Sequence, residues 1–171
     1  MKASELLIGE YKPYFLTYIN KAEGFDLKDG LKSSLNQTLS FFESLPEIKL
    51  EYVYAKDKWT IKEIIQHLID AERVFAYRAL RFARGDKHNL PGYDENQYAP
   101  SSIANRRSKA SLLNEYTHLR QTTISLFDSF TNEMLMKIGL ADNGNMSVRA
   151  IGFVIIGHER HHCQVIKERY L

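Results

Sequence analysis

Apolar residues recur at helical intervals in four long stretches of the chain, and the gaps between them carry turn and loop chemistry. Leu27, Leu31, Leu35, Leu39 and Phe42 draw one stripe that stops before Pro46, so a first helix is predicted over 27–45. The second has the clearest start: Thr60-Ile61-Lys62-Glu63 is a capping box with Thr60 as N-cap, and Trp59 and Ile64 can close a hydrophobic staple around it. From there Ile61, Ile64, Leu68, Ala71, Phe75, Ala79 and Phe82 keep one apolar face until Gly85. Leu112, Leu113, Tyr116, Leu119, Thr123, Leu126, Phe127 and Phe130 place a third helix over 106–130. A fourth follows Ser147, its natural N-cap.

The connections differ in kind. Residues 1–26 mix Tyr11, Pro13, Tyr14, Phe15, Tyr18 and Ile19 with polar residues and read as a lead-in that lays aromatics over one end of the helices. Residues 47–58 are a charged link, and Gly139 to Asn145 is rich in turn residues. The stretch 85–105, with Pro91, Gly92 and Pro100, is too long for a simple helix connection, and loops of that length inside a domain are usually functional. The expected fold class is therefore all-α, a four-helix bundle with a long crossover loop after helix 2, in one domain over 1–171.

Composition keeps that picture and narrows the function. A chain of 171 residues with 44% hydrophobic and 26% charged residues has the make-up of a globular domain. A net charge of +2, with basic residues scattered, argues against nucleic acid as a partner, and Arg106-Arg107 reads as a solvated pair. No apolar run approaches the roughly 20 residues that span a bilayer, so no membrane role is expected. One cysteine forms no intrachain disulfide, consistent with a cytoplasmic location.

The histidines bring the chemistry. With Ile151 at zero on a wheel of about 100° per residue, His158 and His162 fall at about −20° and +20°, inside the stripe that must face the core. His161 lands at its edge, whereas Glu159, Arg160 and Cys163 turn outward and are expected at solvent. Two core-facing imidazoles one turn apart can be satisfied by carboxylates or backbone carbonyls, or can hold two positions on a metal ion. His67 lies at the margin of the second helix's apolar stripe and is the candidate third ligand; His118 falls off its stripe and His88 lies in the loop, so both are expected to be exposed. Asp70, one turn after His67, can orient that histidine or accept a proton, or can be a helix-surface carboxylate.

Trp59-Thr60, His67-Leu68-Ile69-Asp70, the loop Leu90-Pro91-Gly92-Tyr93-Asp94-Glu95-Asn96 and the run from Gly157 to His162 stand in the order and at the separations that resemble the DinB/YfiT-like family of metalloenzymes. The likeness extends from about residue 27 to the end. It implies a helical bundle that carries a divalent ion, nickel or zinc, on His67, His158 and His162, with positions left open to water or substrate. It further implies transfer of a low-molecular-weight thiol to an electrophile, or hydrolysis by water activated on the ion; the alternative is a non-catalytic metal-binding protein of the stress response. A small-molecule substrate and a homodimer are the expected partners.

Overall fold

The structure, a computed structural model, describes residues 1–171. Its helices are α1 (Leu16–Lys21), α2 (Leu27–Glu43), α3 (Ile61–Ala83), α4 (Glu95–Ser101), α5 (Lys109–Asp128), α6 (Asn132–Met136) and α7 (Val148–Arg169). Local chemistry explains where the long ones begin. The capping box at α3 forms reciprocally, with Thr60 N donating to Glu63 Oε2 at 2.8 Å and Glu63 N donating to Thr60 Oγ1 at 3.1 Å. Asp26, Ser108 and Ser147 cap α2, α5 and α7. Helix α5 starts later than its apolar stripe predicts, because a short 3-10 turn (Ala104–Arg106) ends at an extended Arg107, which lets Ser108 take the N-cap geometry.

Helices α2, α3, α5 and α7 form the bundle. Helix α3 packs on α5 and α7, and α2 packs on α5 and α7, so the pairs α2/α3 and α5/α7 stand on diagonals. Successive long helices are thus not always neighbours, and α7 is contacted from several sides. Helix α1 lies along α7 as well, made possible by Gly157, where an added Cβ would sit 1.7 Å from the Tyr18 carbonyl oxygen. The burial of α7 is consequently unbroken from Val148 to Glu159.

The stretch expected as loop between α3 and α5 contains β1 (Asn89–Leu90) and α4, and the turn-rich passage before α7 is a hairpin of β2 (Ile138–Ala141) and β3 (Gly144–Ser147). Strand β2 pairs antiparallel with β3 and parallel with β1. The hairpin turns at Asp142 and Asn143, both at positive φ, the backbone a tight two-residue turn needs and that Asp and Asn tolerate. This small sheet fastens the α3–α5 connection to the N-terminal end of α7.

Two apolar clusters fill the interior, one around the first half of α7 and one around its end, α3's start and α5's start. Between them lies a polar layer. Arg120 donates to Glu72 through Nε and Nη2, both at 2.8 Å, to Glu159 Oε2 at 2.7 Å and to Ser34 Oγ at 3.0 Å, and Tyr116 OH donates to Glu159. Helices α2, α3 and α7 contribute one of these residues each, and α5 contributes Tyr116 and Arg120, where one apolar cluster gives way to the other.

Candidate metal centre

His67 projects from the second turn of α3, and His158 and His162 from α7, which packs beside it. The three rings meet through their Nε2 atoms: His158 lies 3.0 Å from His67 and 3.1 Å from His162, and one nitrogen from each of the three falls within 4.8 Å of the others. Aromatic walls hold the rings. Trp59 packs onto the apolar cluster that contains Ile64, and its indole stands 4.7 Å from the His67 ring and stacks on His162 at 6.5 Å. Tyr18 meets His158 edge-on at 5.0 Å and also stands against His161, which is not part of the cluster.

Burial makes all three imidazoles neutral at physiological pH. It pushes the pKa of His67 down to about 4, and holds His158 and His162 well below the usual histidine range, with the neighbouring histidines adding to the shift. A neutral Nε2 carries either one hydrogen or one lone pair. His158 Nε2 can therefore make a good hydrogen bond to one neighbour, yet it faces two. Three lone pairs directed at a shared point resolve the conflict if a cation stands there. Zinc bonded at about 2.0–2.1 Å sets tetrahedral ligand nitrogens roughly 3.3 Å apart, close to the two shorter separations. The donor set fits a divalent ion of the zinc or nickel kind, and three protein ligands leave room for an exogenous one.

A cavity of about 870 Å³ opens onto the histidines. Helix α1 contributes Tyr18, α3 contributes Ala71, Phe75 and Arg78, the connection after α3 contributes Gly92 to Glu95, and the hairpin closes the far side with Asp142 and Asn145. On the other side of His158, a void of about 10 Å³, the size for a single water, separates it from Glu72, Tyr116, Arg120 and Glu159.

The remaining sequence candidates fall outside this cavity. Asp70 accepts a hydrogen bond from Gln66 Nε2 at 2.9 Å and faces Arg73 at 3.7 Å; it is half-buried, which raises its pKa, and it is not among the cavity-lining residues. Glu159, expected at solvent, is 1% exposed and belongs to the buried polar layer, because α1, α2 and α3 pack around α7 and the Arg120 and Tyr116 side chains reach Glu159 from α5 across the bundle. Cys163, expected to turn outward, packs partly buried against the second apolar cluster, and burial pushes its thiol up to about 12, so it is no nucleophile at neutral pH. Arg160, His88 and His118 are exposed as expected.

Sequence reasoning missed the buried layer and Arg78. The signal was present, since Glu72 and Arg78 flank the apolar stripe of α3 and Arg120 lies within that of α5, where a buried charge needs compensation.

Comparison with known proteins agrees with this fold. The model of the DinB superfamily matches residues 31–166. A protein of Oceanobacillus iheyensis named "Putative metal-dependent hydrolase" is 25% identical over 126 residues, 72% of each chain. The solved structure of YfiT from Bacillus subtilis, described as a probable metal-dependent hydrolase with an unusual four-helix bundle topology, superposes with a TM-score of 0.70 at 19% identity, covering 94% of this chain and 92% of that one. The family match takes in all four bundle helices and all three clustered histidines, and the chain belongs to the DinB superfamily.

Proposed function

We propose that this protein is a divalent-metal-dependent enzyme that hydrolyses a small molecule in the cavity between α1, α3 and α7, with His67, His158 and His162 as the metal ligands. The observation that carries the proposal is the convergence of three neutral Nε2 atoms at the wall of a cavity large enough for a substrate. A divalent ion bound there would act as a Lewis acid and make a nucleophile available at neutral pH.

The chain's own residues do the rest. Trp59, Phe15 and Phe75 line the cavity and keep water from its apolar side. Tyr18 and Tyr93, whose phenols burial raises in pKa, Tyr93 to about 12, remain protonated and can donate hydrogen bonds to a substrate oxygen on which charge develops. Glu95, in the first turn of α4 at the cavity wall, is placed to take a proton. Asp70, hydrogen-bonded to Gln66 and outside the cavity lining, takes no part in this chemistry. The volume favours a second reading as well: about 870 Å³ is near the upper end for small-molecule sites, which leaves room for a thiol co-substrate beside an electrophile.

The test is elemental analysis and equilibrium dialysis with zinc and nickel on the wild type, His158→Ala and His162→Ala. One ion per wild-type chain, and none in either variant at unchanged helical circular dichroism, is the expected result. Equal metal content in all three would overturn the ligand assignment. Turnover of ester, amide and electrophile panels with and without added thiol then separates hydrolysis from transfer.

A further inference from the structure

Three arginines are buried in this protein, and two of them have carboxylate partners. Arg120 is held by Glu72 and Glu159, and Arg149 by Glu10. Arg78 is the exception. It is 5% exposed, forms no ion pair, and makes a single hydrogen bond, from Nη2 to the Pro91 carbonyl oxygen at 2.8 Å. A guanidinium has five N–H donors, and a buried charge without a counter-charge is costly. No fully buried side-chain polar atom in the protein lacks a partner, so the free donors of Arg78 reach open space, and the space that Arg78 lines is the cavity.

The other charges around the cavity do not supply the missing partner. Asp142, whose field reaches Arg78, is paired with Lys12 at 2.6 Å. Asp94 is occupied as the N-cap of α4. Glu95 lines the cavity too, but the only hydrogen bond of Arg78 goes to the Pro91 carbonyl oxygen and not to this carboxylate. Arg78 follows His67 by eleven residues, with Ala71 and Phe75 between them on the same cavity-lining face of α3. That spacing is about 16 Å of helix rise, reduced by the longer arginine side chain, which extends further toward the helix N-terminus than that of His67 does.

We propose that Arg78 is the anchor for an anionic group of the substrate, a carboxylate or phosphate ester, whose apolar body lies along Phe75 and Phe15 and whose reactive end reaches the three histidines. This deepens the hydrolase proposal and rests on it for the identity of the reactive end. The planar fork of arginine binds two oxygens of such a group at once, and binding supplies the counter-charge that the fold withholds. Small organic anions with an aromatic or aliphatic body are the substrate class that fits.

Calorimetric titration at constant ionic strength with 3-phenylpropionate, phenyl phosphate and the neutral 3-phenylpropan-1-ol tests it, on protein with and without zinc. At least one anion is expected to bind the wild type about 10-fold or more tightly than the alcohol. Arg78→Gln should erase that preference while leaving the alcohol's affinity and the zinc stoichiometry unchanged. Arg78→Lys, which retains the charge but not the fork, should keep part of it and serves if the glutamine variant does not fold. No preference in the wild type, or a preference that survives in Arg78→Gln, overturns the proposal. The arms without zinc keep the two proposals apart: loss of metal binding with anion preference intact sinks the metal centre alone, and the converse sinks the anchor alone.

Discussion

At the scale of single residues, neighbours decide what each histidine and carboxylate can do. His158 faces two other Nε2 atoms at once, a contact set in which one neutral imidazole can hydrogen-bond well to only one neighbour and which a shared cation would satisfy. Asp70 sits in the same turn region of α3 as His67, but its carboxylate is engaged by Gln66. A carboxylate that orients a metal-bound histidine typically contributes 10- to 100-fold in metal affinity. With Gln66 as its partner, Asp70→Asn is expected to lower zinc affinity by less than about 10-fold, measured by competition with a chromophoric chelator. A loss beyond that would show that the carboxylate orients His67 after all.

At the scale of elements, the four bundle helices are joined by one charged layer as well as by apolar packing. Arg120 is 1% exposed and is ion-paired with two buried carboxylates, Glu72 at 3% and Glu159 at 1% exposed. Replacing it by methionine fills a similar volume but leaves Glu72 and Glu159 uncompensated. Breaking a buried pair from one side generally destabilises by about 3–5 kcal/mol. Arg120→Met is therefore expected to lose about that much stability in urea-induced unfolding, and to weaken metal binding because Glu159 adjoins His158. A loss under about 1 kcal/mol would mean that water reaches the layer. The same logic accounts for Glu10, which joins the N-terminal segment to α7 through Arg149 and Ser147.

At the scale of the whole molecule, an ion held by α3 and α7 links two neighbouring helices and stabilises the fold by mass action. At a free zinc concentration about 100 times its Kd, the gain is about 2.7 kcal/mol. Zinc should raise the Tm of the wild type and a chelator should lower it, while His158→Ala responds to neither; a Tm indifferent to zinc would speak against a site that bridges the helices. The periodicity of apolar residues, the Thr60 capping box and the Ser147 cap made the four long helices legible, because these are local effects within a turn or two of chain. The His158–His162 pair was legible for the same reason, and His67 as the third member from its place on a stripe. Tertiary structure alone decided the rest. The wheel placed Glu159 and Cys163 outside because it assumes one buried face, whereas α7 is covered on several sides. The counter-charges of Arg120, the isolation of Arg78 and the cavity depend on residues that lie far apart along the chain, and a sequence records which charges sit on apolar stripes but not which of them the fold brings together.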